Sequence, residues 1–362
     1  MKAIAVDPAA RQVGIVEHDE PRLAGAHDVL VRMLDVGVCG TDREICHFAF
    51  GIPPGGSRYL TLGHESLGEV RDAGAEVTGL RNGDLVVGIV RRPCGVASCR
   101  PCHAGRQDFC STGEYIERGI VKLHGFMTGL IVEQPDFLCV VPQELRDIAV
   151  LTEPLTIAEK ALRQVDSVQQ RLPWSGRRAI VLGAGPVGLL GAMALRVRGF
   201  DTWVYSREPQ ADPRVRIVEA MGATYVSSTE TSAAQLADLT GGIDLVYEAT
   251  GFAPVSFDVL RYLGPNGVYV FTGIPGPRPP EAYDLDDIMR NMVLRNQVVL
   301  GTVNADRQSY TDAIADLGLF ARRFPEAVKG LITKRYQLKE YADVLSGHAP
   351  GIKSVLSMEH AL

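Results

Sequence analysis

Arg178-Ala-Ile-Val-Leu182-Gly183-Ala-Gly185-Pro186-Val187-Gly188-Leu-Leu-Gly-Ala-Met-Ala-Leu-Arg-Val197 is the stretch whose reading decides the fold. Arg178–Leu182 predicts an apolar strand, and Leu189 to Val197 predicts a helix. Between them stands G-x-G-x-x-G. Its first glycine permits a tight turn, the second lets backbone approach a pyrophosphate, and the third lets helix pack on strand. The phosphates then meet the N–H groups of the helix N-terminus. Apolar runs follow at Thr202–Tyr205, Thr224–Val226, Ile243–Tyr247, Val268–Thr272 and Val298–Leu300, with helix-length spacers. Six strands so spaced predict an α/β unit, a complete doubly wound parallel sheet that binds a nucleotide.

The end of the second strand selects the nucleotide. An NAD site places Asp or Glu there to accept from the ribose 2′-OH. This chain has Tyr205-Ser206-Arg207, with Glu208 next. A hydroxyl and a guanidinium suit a 2′-phosphate, so NADP is the expected cofactor, with NAD as a second acceptor.

Four of the seven cysteines lie in one short loop, at Cys94, Cys99, Cys102 and Cys110. Four thiolates this close suit a tetrahedral structural zinc. The alternative is disulfide pairing. The start, Met-Lys-Ala-Ile-Ala-Val-Asp-Pro, lacks the apolar core of a secretory signal, and no apolar run is long enough for a membrane span. A cytoplasmic location is expected, where clustered cysteines bind metal rather than pair. With 37 basic and 43 acidic residues the formal charge is −6, which argues against nucleic-acid and membrane-surface partners.

Upstream lie Val38-Cys39-Gly40-Thr41-Asp42 and Leu62-Gly63-His64-Glu65. Cys39 and His64 are sound zinc ligands, and Glu65 or the carboxylate of Glu153 completes the sphere of a catalytic zinc. Spacing alone is weak here, because the ligands are far apart in the chain.

These segments, in this order, resemble the zinc-dependent medium-chain dehydrogenase/reductase family over essentially the whole chain. The resemblance implies a GroES-like β-rich catalytic domain over residues 1–157, with a zinc lobe near 91–112. A Rossmann NADP-binding domain follows over 158–300, and 301–362 return to the catalytic domain. Arg91-Arg92-Pro93, Gly113-Glu114, His124-Gly-Phe-Met127, Thr152-Glu153-Pro-Leu155 and Glu248-Ala-Thr250-Gly251 are similar to the archaeal-type glucose dehydrogenases. So are Leu263-Gly-Pro-Asn-Gly267, Val303-Asn304 and Ile352-Lys353. Glu44 stands where ordinary alcohol dehydrogenases have a relay histidine. The sequence departs from the family at Cys94 and Cys99, which have four residues between them where two is commonest, and at Glu153, where some relatives carry glutamine.

The resemblance implies an aldose 1-dehydrogenase, with β-D-glucose going to glucono-1,5-lactone, two zinc ions per chain, and a homodimer or homotetramer. Cys39, Thr41, His64, Glu65 and Glu153 are its expected catalytic residues. Thr41, Glu114, Glu153, His124 and Asn304 are expected at the sugar. Gly183, Gly185, Pro186, Val187, Gly188, Ser206, Arg207, Thr250, Thr272, Gly273, Ile274, Thr302, Asn304 and Lys353 are expected at the cofactor. The rival enzyme reading is a polyol or secondary-alcohol dehydrogenase. Outside enzymes, it is an NADP-binding sensor or structural protein without catalysis.

Overall fold

The computed structural model describes residues 1–347 and 349–362. The chain forms two compact units. The first comprises Met1–Thr156, Asn304–Leu317 and Ile332–Leu362, and the second Ile157–Val303 and Gly318–Leu331.

The first unit is built on a seven-stranded sheet whose central strand is Val29–Gly37. That strand is apolar at most positions and buried along most of its length, so its faces need cover and its backbone needs partners on both edges. Glu65–Ala73 pairs with it antiparallel on one side and Lys353–Ser357 on the other, with Leu130–Glu133 pairing farther along. The core beneath includes Val31, Met33, Val36, Leu62, Phe126 and Leu356.

The second unit is a six-stranded parallel sheet. Its spatial order is Thr224–Ser227, Asp201–Ser206, Arg178–Leu182, Ile243–Glu248, Leu263–Phe271 and Val298–Gly301. This is the doubly wound arrangement, with the order reversing at Arg178–Leu182. Helix Pro186–Val197 follows the glycine turn. A Cβ at Gly188 would lie 2.1 Å from the Gly183 carbonyl oxygen, so only glycine lets helix and turn approach here. The fifth strand starts earlier than its apolar run, at Leu263, because the pairing shifts register between Ile243 and Leu245.

The division differs from the expected one after residue 300. The return to the first unit starts at Asn304, and Gly318–Leu331 belong to the second unit. Helix Pro325–Leu331 buries Ala327, Val328 and Leu331 there, with Gly330 against Ile217 of helix Pro213–Ala220.

Candidate active site

Sheet register assembles the first set of residues that could hold a metal. Gly37 pairs with Glu65 on one side and Val355 on the other. Cys39, two residues beyond Gly37, and His64, one before Glu65, therefore reach the same end of the sheet. One ligand atom from each of Cys39, His64 and Glu65 lies within 4.8 Å of the other two. Glu153, at the start of helix Thr152–Gln169, stands outside that cluster.

Asp42 organises the ring. Its fully buried carboxylate accepts from the N–H groups of Cys39 at 2.9 Å and Gly63 at 3.2 Å. It lies 3.3 Å from His64 Nδ1 without the alignment of a hydrogen bond. Such a carboxylate behind a histidine fixes the ring for a metal. Burial pushes the Asp42 pKa up, but His64 and the Cys39 N–H pull it down further. Burial opposes charge on His64 too, yet Asp42 and Cys39 raise its pKa well above the usual value. The ring sits in a field suited to a cation. The signal for Asp42 available in the sequence is its spacing from Cys39, three residues on, which is that of a capping box. Cys39 stands at the N-cap of helix Gly40–Cys46, and Thr41 lies half-buried in its first turn.

On the far side, the Lys353 ammonium meets the Glu65 carboxylate and donates to the Val38 carbonyl at 3.1 Å. Burial disfavours the Lys353 cation, but Glu65, Cys39 and Glu153 raise its pKa overall. Glu65 Oε2 has the Lys353 ammonium as its counter-charge, and the buried His64 Nδ1 has no hydrogen bond. A soft thiolate, an imidazole with an unbonded nitrogen and a buried carboxylate fit a zinc ion with an open position. Glu153 titrates high, at about 7, first through burial and then through Glu65 and Asp42, with His64 and Lys353 opposing.

The second set is the cysteine loop. One sulfur from each of Cys94, Cys99, Cys102 and Cys110 lies within 4.8 Å of the others, and all seven cysteines are free thiols. The wide Cys94–Cys99 interval closes because the Cys99 N–H bonds to the Val96 carbonyl at 3.0 Å. Backbone N–H groups of Cys102 and Ser111 hold the Cys99 thiol low, favouring the thiolate a metal requires. These residues fit a closed tetrahedral zinc site.

In the second unit a cleft of about 470 Å³ is lined by Gly183, Gly185, Ser206, Arg207, Glu208 and Thr250, among others. Pro186 and Val187 open the helix beyond it. The unforeseen organiser at the carboxyl ends of the strands is Glu248, 1 % exposed. Its carboxylate accepts from the N–H and hydroxyl of Thr250 and from the N–H groups of Gly251 and Gly273. Its carbonyl accepts from the Thr272 hydroxyl. Thr302 Oγ1 accepts from Gln164 at 2.6 Å, and Ile274 is exposed.

Four expected residues have other partners. Lys353 turns inward to Glu65. Asn304, at φ +61°, donates to Glu117 Oε1 at 2.7 Å, and Arg91 holds the same oxygen. Glu114 is exposed beside Lys122 at 3.3 Å. His124 Nδ1 accepts from the Thr61 N–H at 3.1 Å and its ring packs against Tyr59.

A GroES-like unit carrying a Cys-His-Glu set and a four-cysteine loop, together with a doubly wound nucleotide unit, defines a zinc-type medium-chain dehydrogenase. Residues 25–143 match the alcohol dehydrogenase GroES-like domain, and 146–358 match the glucose dehydrogenase C-terminus. The chain is 38 % identical to glucose 1-dehydrogenase of Methanocella arvoryzae over 99 % of both chains. It is 39 % identical to that of Thermoproteus tenax, over 99 % of this chain and 100 % of that one. The solved Haloferax mediterranei glucose dehydrogenase in complex with NADP, Zn and gluconolactone superposes with TM-score 0.88 at 32 % identity, covering 99 % of each chain. The chain belongs to the glucose dehydrogenase family of medium-chain dehydrogenases.

Proposed function

We propose that this protein is a zinc-dependent glucose 1-dehydrogenase that oxidises β-D-glucose at C1 to glucono-1,5-lactone and reduces NADP. The Cys39–His64–Glu65 cluster carries the reading, in a chain whose relatives bear that name. A zinc ion held there supplies Lewis acidity toward the C1 hydroxyl. Asp42 orients the His64 ring and Lys353 balances Glu65, so the donor set is preorganised. Thr41, beside Cys39, hydrogen-bonds the sugar O1 and passes its proton outward. Glu153, titrating at about 7, holds or releases a proton at its carboxyl near neutral pH. The C1 hydrogen leaves with its electron pair to nicotinamide C4, and the O1 proton leaves through the protein. Arg207 meets the 2′-phosphate of NADP. Cys94, Cys99, Cys102 and Cys110 hold a second, structural zinc.

Two further parts complete the proposal. The free cysteines support a reducing, cytoplasmic location; no helix among the described residues is long and apolar enough to cross a membrane. Self-association is supported by helix Leu285–Leu294, which exposes Leu285, Met289, Val293 and Leu294 at 62–74 %. Asp286 and Asp287 start that helix and Arg295 follows it, so antiparallel pairing of two copies sets unlike charges together.

A steady-state panel of aldoses, polyols and simple alcohols with NADP tests the reading. Glucose should give the highest kcat/KM. Oxidation of a polyol or secondary alcohol, with every aldose inert, would refute it.

A further inference from the structure

Residues 61–63 lead the chain into His64 and are held from two sides. Thr61 pairs with Ala5 of strand Lys2–Asp7, the Leu62 N–H donates to the Ile4 carbonyl at 3.0 Å, and the Gly63 N–H donates to Asp42. On the other side, the N–H groups of Gly125, Phe126 and Met127 donate to the carbonyls of Thr61, Gly63 and Leu62 at 2.8–2.9 Å. A Cβ at Gly125 would lie 2.2 Å from the Leu62 carbonyl oxygen, so the two backbones touch. His124 completes this seam with its side chain, Nδ1 accepting from the N–H of the buried Thr61. A neutral ring that accepts at Nδ1 carries its proton on Nε2.

His124 is half-buried and lines a cleft of about 330 Å³ with His18, Tyr59, Arg118 and Thr128, so solvent protons reach the ring. The charged groups around it are few. Arg118 Nη1 donates to the His124 carbonyl at 2.8 Å, and the Met1 ammonium donates to the His18 carbonyl. Asp19 lines the same cleft, and Lys122 pairs with Glu114. Burial first, then His18 and Arg118, hold the His124 pKa below the usual histidine value.

We propose that His124 is a positioning residue for the metal site: neutral, it fixes Thr61 and with it the setting of His64, and on protonation it releases the Thr61 N–H, so that acid loosens the site. The inference rests on the zinc-dehydrogenase reading above.

Two variants of the full chain test it. His124→Leu removes the acceptor, while His124→Asn offers a carboxamide oxygen that does not titrate. At neutral pH His124→Leu should lower kcat/KM for glucose about tenfold, through kcat, as loss of an outer-shell partner does. A chelator titration should show one of the two zinc ions held about tenfold more weakly, with NADP affinity unchanged. His124→Asn should restore both. As pH falls through one titration below about 6.5, wild type should lose about tenfold relative to His124→Asn, because protonation and His124→Leu remove the same bond. Melting curves of chelator-stripped protein should diverge in the same range. A histidine lowered in the folded state stabilises above its unfolded pKa, and that contribution is lost as pH falls through the folded value. Parallel acid limbs for wild type and His124→Asn would overturn the assignment. So would a His124→Leu variant that melts lower but keeps its kcat/KM and zinc affinity. A wild type that binds no zinc would overturn the zinc reading, and this inference with it.

Discussion

Lys353 and Glu65 form an ion pair across the bare Cα of Gly37, with side chains 2 % and 1 % exposed. Lys353 lies near the end of the sequence and Glu65 in its first third. They meet because Val29–Gly37 pairs with both of their strands. Removing one partner of a buried pair leaves an uncompensated charge, at a cost of about 3–5 kcal/mol. Lys353→Met should therefore lower thermal stability, and by more in chelator-stripped protein than in zinc-loaded protein, where the metal compensates Glu65. Melting curves with and without zinc check this.

Gly37 is required by that pair. A Cβ at position 37 would fall 2.1 Å from Glu65 Oε2 and 3.0 Å from Lys353 Cε. Gly37→Ala should displace Glu65 while leaving the sheet formed. Misplacement on the ångström scale costs about a hundredfold in turnover, so kcat/KM should drop by that order with an unchanged circular dichroism spectrum.

The two cysteine sites should separate by metal analysis. Wild type should hold about two zinc ions per chain, as one catalytic and one closed site require. Cys39→Ala should hold about one, turn over no sugar and bind NADP as before. Cys102→Ser should also lose one, and its loop between residues 94 and 110 should become protease-sensitive.

How much of this was legible in the sequence follows from where each contact lies. The nucleotide sheet is a local pattern, strand, turn and helix repeated, so each of its six strands covers its apolar run to within a residue, with the fifth starting five residues earlier, at Leu263. The cysteine loop was local too, so its four members were identified together. Lys353–Glu65, Asp42–His64 and Asn304–Glu117 join residues distant in the chain through strand register or return segments. No periodicity marks such pairs. Glu248 was hidden for another reason: its partners are mostly backbone N–H groups, which no residue type announces.

Acid stability should depend on Glu133, a buried carboxylate between Arg92 and Arg118, with Arg118 Nε at 2.7 Å. Burial raises its pKa, but Arg118 and Arg92 lower it further, so the net shift is downward. A carboxylate lowered in the folded state stabilises the fold above its unfolded pKa of about 4.3. That contribution is lost as pH falls through the folded value. Glu133→Gln should destabilise by about 3–5 kcal/mol at neutral pH. Its melting temperature should fall less steeply than that of wild type in acid below about pH 4.

Transfer of the C1 hydrogen tests the central claim most directly. Zinc-loaded protein is given β-D-glucose carrying deuterium at C1 only, with NADP, and the NADPH formed is read by mass spectrometry and proton NMR. Deuterium at nicotinamide C4, with glucono-1,5-lactone as first product, is the predicted result. NADPH free of deuterium, or no reduction with glucose while a polyol is oxidised, would contradict it.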